Sequence, residues 1–215
     1  MDYIFFDMDG VILNSMPYHA RSWIEACKHF GWHFTEEEVY LYEGAFDFEV
    51  VKELFLKKGI YPDEKVFFKA LSLQKKIFHE KYAHRIKPFE EVPELLALLR
   101  EKGKKLALVT SSHRDVVEKV LPEVIKKHFS IIVSGEDVKK RKPHPEPYLK
   151  ALYLSRAPKE KAVVVENAPA GVCSAKNAGL RCIAITTTLP PHHLSLADII
   201  AKNHKHLKEL LLNGL

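Results

Sequence analysis

Hydrophobic positions fall along this chain in blocks of two kinds. Short, nearly unbroken apolar runs rich in β-branched residues occupy positions 3–6, 106–110, 131–133, 162–165 and 182–185. Each has the length of a buried parallel strand and is too short for a helix. Between them, residues 92–100, 116–127, 148–155 and 171–178 carry apolar side chains at helical spacing. Strand, helix and strand repeated with short links predict an α/β fold, a parallel sheet covered by helices on both faces.

The alternation breaks once. Residues 15–84 hold no convincing strand and read as helices at 16–30, 36–42, 48–58 and 64–82. Thr35 with Glu38 fits a capping box opening the second of these, and Gly31 and Gly59 fit helix stops. A helical insertion of residues 15–84 therefore interrupts a core made of 1–14 and 85–215. A last helix near 204–212 is expected to pack across the sheet edge.

In a parallel sheet, ligands bind beyond the carboxyl ends of the strands. The polar residues placed there are Asp7 and Asp9, then Thr110, Ser111 and Ser112, then Lys142, then Glu166 and Asn167. One aspartate can attack phosphorus while its neighbour gives a proton to the leaving oxygen and later takes one from water. A divalent cation is then required, because carboxylate and phosphate otherwise repel. Taken singly, these segments have plainer readings: a turn with two solvated aspartates, a serine cluster in which Ser112 caps the next helix, and a solvated basic run at 139–142. Lys142 differs from its basic neighbours because Pro143 and Pro145 stiffen the chain that follows it.

Composition narrows the classes. The 215 residues are 47% hydrophobic and 28% charged, a globular balance, with a formal charge of +5. That charge suits an anionic substrate but is too mild and dispersed to predict nucleic-acid binding. The three cysteines lack metal-ligand spacing, no apolar stretch is long enough to span a membrane, and the start MDYIFFDMDG is no secretory signal. A cytoplasmic protein with no membrane or nucleic-acid partner is the expectation, and a monomer is compatible with it.

In their order, Asp7-Met8-Asp9-Gly10-Val11-Ile12, Thr110, Lys142-Pro143 and Glu166-Asn167 resemble the four signature motifs of the haloacid dehalogenase superfamily. Positions 10–31, with Tyr18-His19 and Trp23, resemble its beta-phosphoglucomutase and sugar-phosphatase branch. The resemblance implies a Rossmann-like core with an α-helical cap that governs substrate choice, and a Mg2+ cofactor. Asp7 would form an aspartyl-phosphate and ligate the metal, and Asp9 would act as acid/base and offer its main-chain carbonyl. Thr110 and the N–H of Ser111 would hold the phosphoryl group, Lys142 would bridge it to Asp7, and Glu166 and Asn167 would complete the metal site.

The chain departs from the pattern at two places. Asn167 stands where most relatives have an acid, which predicts a higher magnesium requirement. Gly44-Ala45-Phe46-Asp47 lacks the arginine with which the mutase grips a second phosphate. Hydrolysis of a small phosphorylated metabolite, a sugar or polyol monophosphate, is thus the expected activity. A phosphosugar mutase and a non-catalytic phosphometabolite-binding protein are the alternatives. Further candidates for substrate contact are Ser112, His19, Phe46, Asp47 and Arg114.

Overall fold

A computed structural model of the chain describes residues 1–42, 48–61 and 63–213. Six parallel strands form one sheet in the order β3-β2-β1-β4-β5-β6. They are β1 (Tyr3–Phe6), β2 (Lys105–Val109), β3 (Ile131–Val133), β4 (Ala162–Glu166), β5 (Arg181–Ile185) and β6 (Ile199–Ala201). Because alternate side chains point to opposite faces, each strand feeds two cores. Ile4, Phe6, Leu108, Val163 and Ile183 enter one, packed by α5 (Val92–Glu101), α6 (Arg114–Val120) and α10 (His204–Asn213). Phe5, Ala107, Val109, Val164 and Cys182 enter the other, against α8 (Glu146–Ser155) and α9 (Pro169–Asn177). Burial on both faces explains why the strands read as unbroken apolar runs. Each large aliphatic or aromatic side chain so buried stabilises the fold by about 2 kcal/mol.

The insertion between β1 and β2 comprises α1 (Met16–Lys28), α2 (Glu36–Leu41), α3 (Phe48–Lys57) and α4 (Glu64–Ile77), with no strand among the described residues. The capping box at α2 is present in both directions. Gln74 Nε2 donates to Ser22 Oγ at 2.9 Å and joins α4 to α1.

Three features differ from the sequence reading. The helix expected over 116–127 is two, α6 and α7 (Glu123–Lys126). Pro122 has no N–H to donate and forces Leu121 out of the helical region, to φ −89° and ψ 110°. The helix expected over 64–82 ends as an α-helix at Ile77 and widens into a π-turn at Phe78–Tyr82. β6, three residues at the sheet edge, was not among the strands read from the sequence. No helix among the described residues is long and apolar enough to cross a membrane.

Because β1 lies between β2 and β4, the chain leaves its carboxyl end where successive connections diverge to either side of the sheet. That is the crevice where open α/β sheets bind ligands. Asp7 is the next residue.

Candidate active site

Asp7 is presented on main chain still held by the sheet, its N–H donating to Val165 O at 3.0 Å. The chain then turns at Gly10, whose φ of 81° lies in the region that costs any other residue strain. Space is equally short there: a Cβ on Gly10 would stand 2.1 Å from Asn167 Nδ2. Gly10→Ala is therefore expected to cost about 1–2 kcal/mol through backbone strain alone. It should also displace the Asn167 side chain; urea unfolding alongside activity checks both.

Lys142 is 4% exposed and its three N–H bonds are all used. Nζ donates to Asp7 Oδ1 at 2.6 Å, to Glu166 Oε1 at 2.7 Å and to Val109 O at 2.9 Å. Tyr148, fully buried on the first turn of α8, donates its hydroxyl to the same Glu166 Oε1 at 2.6 Å. The other Glu166 oxygen accepts from Asn167 N at 3.1 Å. Burial opposes the charge on Lys142, but Asp7 and Glu166 overcome it and hold the ammonium well above the ordinary lysine range. Burial raises Asp7 well above the usual carboxylate range; Lys142 works against that shift, while Glu166 and Asp9 add to it.

Asp9 has the opposite setting. Its Oδ1 accepts from Ser15 Oγ at 2.6 Å and lies 3.2 Å from His19 Nε2, and its Oδ2 accepts from Ser112 Oγ at 2.9 Å. Burial pushes Asp9 up, but His19, Ser15 and Ser112 together outweigh it and leave the carboxyl below its ordinary pKa. As an ionised carboxylate can only accept, the His19 ring carries its proton on Nε2. The imidazole stacks on Phe78 with centroids 4.3 Å apart, at the π-turn that ends α4. The helical insertion thus reaches Asp9 directly.

Asp7, Asp9, Thr110, Ser111, Ser112, Lys142, Glu166 and Asn167 line one cavity of about 20 Å³, room for a single water-sized occupant. Among the described residues, Ser111 Oγ is the buried side-chain oxygen left without a hydrogen-bond partner, and it belongs to this wall. A buried hydroxyl left unpaired is costly unless something binds it. A second cavity of about 480 Å³ adjoins through Ser111 and Ser112, walled by His19, Gln74 and Phe78 of the insertion and by His113 and Arg141 of the core.

The sequence candidates fare unequally in this geometry. Ser112 does not cap α6; His113 takes the N-cap position, and the Ser112 hydroxyl is drawn to Asp9 instead. Arg114 lines neither cavity, since both Asp137 carboxylate oxygens hold its Nη2, at 2.9 and 2.8 Å. Phe46 and Asp47 lie outside the described residues. Ser15, Tyr148 and Arg141 were not singled out from sequence, and no local pattern marks the first two.

No group of three or more His, Cys, Asp or Glu side chains among the described residues forms a metal cage. The donor set nevertheless suits a hard cation that keeps its own waters. Asp7 supplies a carboxylate, and Asn167 turns Nδ2 to Thr188 Oγ1 at 3.2 Å, which leaves its carbonyl oxygen for another partner. The small cavity between them has the size of one ion.

The sequence profile of the haloacid dehalogenase-like hydrolases matches residues 4–185, from β1 to the end of β5. The chain belongs to this family. As a haloacid dehalogenase-like hydrolase it is 32% identical to glycerol-1-phosphate phosphohydrolase 1 of Saccharomyces cerevisiae, over 94% of this chain and 82% of the relative. It is 31% identical to the phosphorylated carbohydrates phosphatase of Thermotoga maritima, over 85% of this chain and 84% of that one. A hydrolase structure from Pseudomonas syringae superposes with a TM-score of 0.85, covering 98% of this chain and 99% of its own, and at 20% identity it shows the shared fold. Within the haloacid dehalogenase-like hydrolases, the yeast and Thermotoga relatives are named as phosphatases of phosphorylated compounds.

Proposed function

We propose that this hydrolase is a magnesium-dependent phosphatase for a small phosphorylated metabolite, a sugar or polyol monophosphate, working through an aspartyl-phosphate on Asp7. The observation that carries the reading is the Asp7–Lys142 pair at 2.6 Å, set at a strand end and facing a cavity that also holds an unpartnered Ser111 hydroxyl. A binding protein has no use for a buried nucleophile held by a buried ammonium.

In this reading Asp7 attacks phosphorus and the phosphorus–oxygen ester bond breaks, while Asp9, ionised before substrate enters, takes up the proton that a monoanionic phosphoester brings and passes it to the departing oxygen. Water then attacks the phospho-Asp7, Asp9 takes its proton, and phosphate leaves with Asp7 restored. Thr110 Oγ1 accepts from Ser112 N at 3.0 Å, so its own proton is available for a phosphoryl oxygen, as is that of Ser111. Lys142 offsets the charge shared by Asp7 and the phosphoryl group. Asp7, the Asp9 main-chain carbonyl and Asn167 would hold the magnesium ion, which supplies charge neutralisation at the phosphoryl oxygens. Glu166, with both oxygens engaged, orients Lys142 and acts on the metal at most through water. Residues 15–84 serve as the cap: His19 ties their first helix to Asp9, and closure over substrate would exclude bulk water.

The test is phosphate release from sugar, polyol and nucleoside monophosphates under a magnesium titration. Release from sugar or polyol esters that rises with magnesium is the expected result; no release from any of them would refute the reading. Asn167→Asp adds a charged ligand and should lower the magnesium concentration giving half-maximal rate by about tenfold. An unchanged requirement would remove Asn167 from the metal site.

A further inference from the structure

Phe68, Leu71 and Phe78 follow one another at helical spacing along α4 and its π-turn, and all three line the larger cavity. Gln74 falls in the same stripe and is only 5% exposed. That is a costly place for an amide unless its polar atoms are used. One half of it is used within the insertion. Gln74 Nε2 donates to Ser22 Oγ at 2.9 Å, and Ser22 Oγ donates to His19 O at 2.8 Å. A hydroxyl has one proton to give, so Ser22 can only accept from the amide. The sense of the Gln74 side chain is thereby fixed, with its nitrogen toward Ser22.

The amide oxygen is left for the cavity. Gln74 Oε1 accepts no hydrogen bond from the described residues, yet it is not sealed off as Ser111 Oγ is. It therefore opens on the space that Gln74 lines. A continuous line of contacts ties it to the chemistry: the His19 ring meets Asp9, the His19 carbonyl holds Ser22, and Ser22 holds Gln74. On the core side, Asp115 and Glu136 add carboxylates to the same cavity, and these also accept from a hydroxyl.

We propose that Gln74, held by Ser22, is a specificity residue whose amide oxygen accepts from a hydroxyl of the leaving group, so that phosphoesters of polyols and sugars are preferred to those of simple alcohols. The proposal rests on the phosphatase reading, which puts the scissile phosphoryl group at Asp7 and the leaving oxygen beside Asp9. A leaving group with only C–H at that point would displace water from the amide oxygen and leave it unpaired.

Equilibrium titration in an Asp7→Asn background tests this without turnover. Glycerol 3-phosphate and n-propyl phosphate share a three-carbon chain and a phosphate, and differ by two hydroxyls. The glycerol ester should bind about tenfold more tightly. Gln74→Met keeps the length of the side chain without the amide and should remove most of that preference. Ser22→Ala frees the amide without touching the ligand and should remove part of it. Inorganic phosphate should bind all three proteins alike, whereas a merely structural role for Gln74 would weaken every ligand together. Equal affinities for the two esters before Gln74 is changed, or a preference that survives intact in Gln74→Met, would overturn the proposal. If phosphate still binds, that result overturns this proposal alone; if none of the three ligands binds, the phosphatase reading falls with it.

Discussion

Asp7→Asn is expected to lower phosphate release from p-nitrophenyl phosphate by about four orders of magnitude or more while the protein stays folded. The substitution keeps the shape of the side chain, and its amide oxygen can still accept from Lys142, which retains Glu166 and Val109 O as further partners. An amide does not attack phosphorus. Loss of activity with an unchanged thermal transition would thus locate the defect in chemistry rather than in folding. Substantial release from the variant would show that Asp7 is not the nucleophile.

The second large effect concerns Lys142. Lys142→Met should destabilise the protein by about 3–5 kcal/mol near neutral pH, because Asp7 and Glu166 are left as two buried carboxylates with no cation between them. The activity should fall as well, by about a hundredfold or more, since the same ammonium balances charge at the phosphoryl site. The pH dependence has a definite sign. Burial already raises the Asp7 carboxyl, and without the ammonium that opposes this rise its folded-state pKa climbs further above the unfolded value, so the native state binds more protons than the unfolded one. Stability of the variant should then recover as the pH falls toward about 5. Urea unfolding across that range checks it; a variant as stable as the parent at neutral pH would mean that Lys142 does not hold the two acids together.

Much of this site could be read from the chain because parallel sheets place function where apolar runs stop. Asp7, Thr110 and Asn167 each follow the last residue of a buried strand, and Glu166 ends one. Shared register then brings them to one edge. What escaped the sequence depends on tertiary packing. Ser15 precedes α1 and has the look of a helix cap, yet it makes no cap hydrogen bond and serves Asp9 instead. Tyr148 belongs to an ordinary helical pattern, and only the packing of α8 on the sheet turns its hydroxyl to Glu166. Arg141 was hidden in a basic run in which Lys139 and Lys140 are exposed and Lys142 is buried, and spacing alone does not tell these apart. Helix ends failed where proline chemistry at Pro122 overrode a continuous apolar spacing.

The helical insertion shows the same division. Its helices were legible from spacing and caps, and His19 stood among the candidates for substrate contact, but its pairing with Asp9 was not legible. His19 pairs with Asp9 while stacking on Phe78, where α4 has given way to a π-turn. These surfaces and Arg141 border the larger cavity, and no linear motif describes that border.

The central claim is that a phosphoryl group passes through Asp7. Turnover quenched in acid, followed by peptide mapping by mass spectrometry, tests it most directly. The account predicts that the peptide containing Asp7 gains the mass of one HPO3 group during turnover and that Asp7→Asn does not. A phosphoryl group found on another residue, or rapid turnover with no phosphopeptide at any quench time, would contradict it.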